Sequence, residues 1–177
     1  HLISYTATNG DIYNYKKIID YYKKNLENIN CDCETDSLAL SLVIGKLLKS
    51  NKKNSIKNLL QKIEGSYCSC TISDTLPGSI FLVKNGQQGL YVGNSVDRYY
   101  FASDVYGLVE ESYNFVKIDD DCYINLPNNP KSELLIVNHN NNNHKIINQE
   151  KFKEIGLNLN DIYLGNKPHY YFKEFLI

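Results

Sequence analysis

The chain has 177 residues, 19 basic and 20 acidic, for a net charge of −1, with 42% hydrophobic and 22% charged side chains. This is ordinary globular composition, enough for one domain with a real core. It excludes several classes of protein: the charge balance argues against nucleic acid or an anionic membrane surface, and no apolar run approaches a bilayer span. No signal peptide is visible, so the expected compartment is the cytoplasm. The chain contains no Met and residue 1 is His, so it reads as processed, trimmed or cut from something larger.

Leu2 to Thr8 is rich in β-branched and aromatic residues and predicts a strand. Asn9-Gly10 then reads as a corner. After Asp11, the apolar positions Ile12, Tyr15, Ile18, Ile19 and Tyr22 form a helical stripe, which Asp11 is placed to cap. Asn25 to Cys33 is a polar connection. Asp36 opens a second helix through Leu40, Val43, Ile44, Leu47 and Leu48, and a shorter third carries Ile56, Leu59, Leu60 and Ile63 before Gly65.

The period then changes from helical to alternating. Tyr67 to Ser73 reads as a strand, and Ser79 to Lys84 with Gly89 to Gly93 as a hairpin around N-G-Q-Q-G. Tyr99 to Ala102 is a further strand, and Asp104 is expected to cap a helix reaching Glu111. Asn114 to Ile118 and Cys122 to Leu126 are expected to pair across D-D-D, followed by a strand from Leu134 to Asn138 and the Asn loop 140–143. Helices and strands are segregated along the chain, which predicts an α+β layered domain with antiparallel sheets.

The cysteines are Cys31, Cys33, Cys68, Cys70 and Cys122. The C-x-C spacing is tighter than zinc sites use, and Cys68, Cys70 and Ile72 share one face of a strand, so these thiols read as small core residues rather than metal ligands. His139 and His144 flank the Asn loop. They read as solvated loop histidines, with a metal pair as the alternative. No metal or cofactor is expected.

Two places can carry chemistry. Asn9-Gly10 is either a plain turn or a side-chain amide and a main-chain N–H aimed together at a developing oxyanion. Asp36 is either a helix N-cap or a carboxylate that holds a substrate ammonium. No G-x-S-x-G elbow, Walker loop or G-x-G-x-x-G is present.

Four stretches in order, N-G-D-I-Y-N-Y, C-E-T-D-S, I-E-G-S-Y and Y-F-A-S-D, resemble the glutaminase domain of class II glutamine amidotransferases. The tail K-P-H-Y-Y-F-K-E-F is similar to the segment that leads, in glutamine–fructose-6-phosphate aminotransferases, from the glutaminase domain to the sugar isomerase domain. The resemblance implies residues 1–165 as a partial glutaminase domain and 166–177 as a segment leading toward an isomerase domain. It implies an N-terminal-nucleophile hydrolase fold, an α/β/β/α sandwich with antiparallel sheets, incomplete at its N-terminus. It also implies glutamine as substrate, fructose 6-phosphate as acceptor through an isomerase domain, and glucosamine 6-phosphate as product. Asn9 and Gly10 match the family's oxyanion hole, Asp36 the carboxylate that binds the substrate α-ammonium, and Ala102, Ser103 and Asp104 a motif near the pocket with a structural role. The alternatives within the resemblance are the glutaminase domain of an asparagine synthetase or a nucleotide-pathway amidotransferase, or a catalytically dead domain kept for binding or assembly.

The departures from the family pattern are specific. Its nucleophile is an N-terminal Cys, where this chain has His1, and its carboxylate-binding Arg is missing, since Arg98 is the sole arginine. An incomplete sheet has an open edge, which invites a complementing chain or a homodimer. The chain alone is therefore expected to be inactive as a glutaminase. An assay of ammonia release from glutamine on the isolated chain checks this, and release above the blank would overturn the assignment of roles.

Overall fold

The computed structural model describes residues 4–25, 35–50, 53–108, 114–129, 131–141 and 143–147. In chain order these give β1 (Ser4–Ile12), α1 (Tyr15–Asn25), α2 (Asp36–Ser50), α3 (Lys53–Leu60), β2 (Gly65–Ser73), β3 (Ser79–Asn85), β4 (Tyr91–Asn94), β5 (Tyr99–Ala102), β6 (Phe115–Lys117), β7 (Cys122–Pro127), β8 (Leu134–Asn138) and β9 (His144–Ile147). A 3-10 turn, Val105–Gly107, stands where the helix after Asp104 was expected. The rest of that expected helix, residues 109–111, lies outside the described residues.

The strands form two antiparallel sheets. One has six strands in the order β1-β2-β3-β7-β8-β9, the other three in the order β5-β4-β6. The helices cover one face of the large sheet. Ile19, Tyr22, Leu40, Ile44 and Leu47 pack there against Tyr67, Phe81 and Val83. The small sheet covers the other face, where Val92 and Val116 meet Leu82, Ile124, Leu126 and Ile136. Burial of each such side chain contributes roughly 1.5–3 kcal/mol. The described residues thus build a helical layer and two stacked sheets.

Both expected hairpins are absent. Ser79–Asn85 does not pair with β4, because its two edges are already taken by β2 and β7. Phe81 through Lys84 are accordingly buried without alternation. The chain after N-G-Q-Q-G has to leave for the small sheet, where β4 pairs with β5 and β6. The same constraint separates β6 from β7, whose edges belong to β3 and β8. Both glycine- or aspartate-rich loops are crossings between layers, a choice that turn chemistry does not encode.

A buried charge fastens the second crossing. Lys84 is 3% exposed, and its Nζ lies 2.7 Å from Asp120 Oδ1 and donates to Ile118 O at 2.8 Å. Ile118 N in turn donates to Leu90 O at 2.9 Å. The lysine thereby ties β3 to the loop between β6 and β7, and pairing is the condition on which a buried ammonium is tolerated.

The Asn run closes the β8–β9 hairpin through a ladder of its own amides. Asn138 Oδ1 accepts from Asn140 N and Asn141 N, and Asn140 Nδ2 donates to Asp121 Oδ2. Cys122 is buried and Cys68 and Cys70 half-buried against the inter-sheet core, as small core thiols should be, while Cys31 and Cys33 lie outside the described residues. His139 departs from the solvated role expected of it. It is 2% exposed, its N–H donates to Asp121 O, its carbonyl accepts from Gln61 Nε2, and neither ring nitrogen has a hydrogen-bond partner. His144 is exposed. Among the described residues no group of three or more His, Cys, Asp or Glu is arranged to hold a metal ion.

Burial lowers the His139 pKa below its ordinary value, against the pull of the Asp121 carboxylate. The unfolded chain therefore takes up this proton first as pH falls. Stability is fully present above about pH 6.5 and declines as pH drops toward the lower, folded value. Urea midpoints measured at pH 7.5 and 5.5 should differ for the natural chain, and the part of that difference due to His139 should vanish in His139→Leu.

Candidate functional site

The site begins with a backbone constraint. β1 runs straight through Asn9-Gly10 to Ile12, so the pair is inside a strand and not at a corner. The helix starts four residues beyond Asp11, at Tyr15, after Asn14 has spent its side chain on Lys62 O and Glu64 N. Gly10 has φ +116° and stands opposite Tyr67 in β2. A Cβ there would overlap Ser66 O and come within 2.8 Å of Tyr67 Cα. Gly65 has φ +153°, and a Cβ on it would overlap Asp11 O. The two strands approach so closely at this diagonal that only glycine fits on either side.

That approach explains why N-G and E-G-S-Y both carry glycine: they are two halves of one contact. Asn85 Nδ2 adds a hydrogen bond to Gly65 O at 2.6 Å, and a Cβ on Gly86 would lie 2.8 Å from Ser66 Oγ. A Cβ on Gly89 would overlap Ser103 O, which brings the A-S-D stretch beside the same loop. Segments far apart in sequence meet here: β1, β2 and the loop after β3 around Gly10 and Ser66, and the Ser103 carbonyl against Gly89.

Strand alternation sets where Asn9 points. Its cross-strand neighbour is Cys68, which packs toward the inter-sheet core, so Asn9 lies on the face turned away from the helices. The residue is exposed, and its Nδ2 donates to Gln88 Oε1 at 3.5 Å. Gln88 is the member of this site that the sequence did not single out. N-G-Q-Q-G reads locally as a turn, and nothing in it marks one glutamine as a neighbour of residue 9.

Asp36 begins α2, part of the helical layer on the other face. The capping hydroxyl belongs to Thr35, whose Oγ1 accepts from Leu38 N at 3.3 Å, so Asp36 is not the N-cap. Its Oδ1 accepts from Ser37 N at 2.7 Å, and among the described residues no cation pairs with it. A carboxylate in the first turn of a helix is favoured by the dipole. No hydrogen bond among the described residues joins Asp36 to Asn9 or Gly10, so Asn9 and Gly10 are brought together by β1 and Asp36 stands in a separate layer.

The thiol beside Asn9 is not an activated one. Burial pushes Cys68 up to about 11, with Lys84 pulling the other way and Cys70 adding to the rise. Such a thiol is protonated at neutral pH and is a poor nucleophile. A cavity of about 340 Å³ opens between the sheets, lined by Ile72, Ile80, Tyr99, Phe101 and Leu126. Ile72 pairs with Tyr5, four residues before Asn9, so this cavity is about 14 Å along the strand from the Asn9 amide.

Residues 4–110 match the family model described as a glutamine amidotransferase domain, and the chain belongs to that family. It is 28% identical over 170 residues to a glutamine–fructose-6-phosphate aminotransferase (isomerizing) of Listeria innocua, covering 94% of this chain and 26% of that enzyme. It is 25% identical over 176 residues to the enzyme of that name from Chlorobaculum tepidum, again with 26% of the relative covered. The chain therefore spans about a quarter of the length of these relatives. In three dimensions it is similar to the glutamine phosphoribosylpyrophosphate amidotransferase of B. subtilis, with TM-score 0.52 and 17% identity over 84% of this chain and 31% of that one. The fold is that of the N-terminal-nucleophile amidotransferases. Among the described residues no helix is long and apolar enough to cross a membrane.

Gly10→Ala should destabilise the chain by about 1–3 kcal/mol from backbone strain alone, with the overlap on Ser66 added. Asn9→Ala, on an exposed side chain, should stay within about 0.5 kcal/mol of the natural chain. Urea denaturation of the two variants side by side checks the contrast.

Proposed function

We propose that this chain is the glutamine-handling part of an amidotransferase that forms glucosamine 6-phosphate from fructose 6-phosphate and glutamine. What carries the reading is the agreement between the glutamine–fructose-6-phosphate aminotransferase relatives, which cover 94% of the chain, and the Asn9-Gly10 pair held beside Ser66 by close strand contact. In the proposed reaction a thiolate attacks the glutamine carboxamide, the Asn9 amide and the Gly10 N–H hold the tetrahedral oxygen, and Asp36 holds the α-ammonium. Ammonia leaves for the sugar and water releases glutamate. Loss of one oxyanion donor raises such a barrier by ~3–4 kcal/mol. Burial pushes Cys68 up to about 11 and keeps it a thiol, so the thiolate of this reaction is not Cys68.

The proposed partner is a complementing strand or a second copy of the chain. Tyr5 and Ile72, paired across β1 and β2, are 68% and 50% exposed on the face turned toward the small sheet. β1 is also the outermost strand of the large sheet among the described residues. Elution in size-exclusion chromatography that shifts with concentration supports the second copy, and a constant monomer position removes it.

Titration of 15N-labelled chain with L-glutamine tests the site. The Asn9 side-chain amide, the Gly10 N–H and the Ser37 N–H beside Asp36 should shift together, and D-glutamine should leave them in place. Shifts confined to other residues, or none at millimolar glutamine, would overturn the assignment.

A further inference from the structure

We infer that the Gln88 side chain is a built-in occupant of the Asn9 donor, a carboxamide standing where the carboxamide of substrate glutamine is to be held. The inference rests on the glutamine reading above and deepens it. Its starting observation is chemical identity. The group that accepts from Asn9 Nδ2 is Gln88 Oε1, a primary carboxamide oxygen, at 3.5 Å. An Asn amide set to receive the oxygen of a glutamine carboxamide receives, in the resting chain, the oxygen of a glutamine carboxamide.

The placement is built rather than incidental. Gln88 lies between two glycines fixed by close contact, Gly86 on the Ser66 side chain and Gly89 on the Ser103 carbonyl. Gly86 N also donates to Asp121 Oδ1 at 3.4 Å, and Asn85 Nδ2 to Gly65 O at 2.6 Å. The loop is therefore held before Gln88 against the β1–β2 contact that fixes Asn9, through Gly86 and Asn85, and after it against the Ser103 carbonyl that follows β5. At 3.5 Å the bond is at the long limit for a hydrogen bond and it is exposed. A weak, solvent-accessible occupant keeps the donor oriented and yields to a substrate that brings further contacts. Substrate binding then requires the Gln88 carboxamide to swing out, which sets a threshold on glutamine concentration.

The test is the glutamine titration repeated on Gln88→Ala, Gln88→Glu and Asn9→Ala, following the Gly10 N–H. Removing the occupant in Gln88→Ala should lower the half-saturating glutamine concentration by roughly two- to tenfold, the worth of one exposed hydrogen bond. Gln88→Glu replaces the amide with a charged acceptor that holds Asn9 more firmly, so it should raise that concentration. An unchanged or higher half-saturation in Gln88→Ala, with Asn9→Ala still abolishing the shift, overturns the inference and leaves the glutamine site standing. In that case Gln88 merely orients Asn9 or is idle. A natural chain that does not respond to glutamine, or an Asn9→Ala chain that responds as the natural one does, overturns the inference together with the reading beneath it.

Discussion

The structure around the site depends on one steric constraint: β1 and β2 come too close at the Gly10–Ser66 and Gly65–Asp11 contacts to admit a Cβ. A slip of this antiparallel pair by one residue would turn Asn9 to the helical face. Two glycines placed diagonally across the ladder let the strands close in this one alignment. The alignment fixes Asn9 opposite Cys68 and Tyr67 opposite Gly10, with the Tyr67 ring fully buried beneath the helices.

From that contact the rest of the site is reached through main chain rather than through long side chains. Ser66 carries Gly86, the loop carries Gln88, and Gly89 rests on Ser103. Such contacts are stiff, because moving any member forces atoms together. In the proposed function the Asn9 amide gains from this stiffness, since a donor that need not reorganise contributes more to the transition state. The same economy appears in the sheet crossings. Lys84 is a buried cation whose bonds to Asp120 and Ile118 hold the second sheet against the first.

The two carboxamide groups of the site differ in how they are held. Asn9 rides on a paired strand, whereas Gln88 rides on a short loop anchored at both ends. The strand residue is the fixed element and the loop residue the one with rotamer freedom, which is the division of labour a displaceable occupant needs. Asp36 is positioned independently, in the first turn of α2, the helix whose start Thr35 caps.

The helices, the segregation of helical from extended segments, and the family were legible in local residue pattern. The stripe Ile18, Ile19, Tyr22 and the run Leu40, Val43, Ile44, Leu47 bury as their spacing requires, because a helix exposes its neighbours by period alone. The motif order N-G, E-T-D, E-G-S-Y and A-S-D carried the relationship. What the sequence did not determine was which strands share a sheet. N-G-Q-Q-G and D-D-D have the chemistry of hairpin turns, but β3 and β7 had no free edge to offer. Nor did it reveal that His139 is buried or that Gln88 meets Asn9. Both are contacts across long sequence separation, decided by how the sheets stack, and no local pattern encodes them. Tertiary structure alone settled these points, because edge occupancy and burial are properties of the assembled layers and not of any one segment.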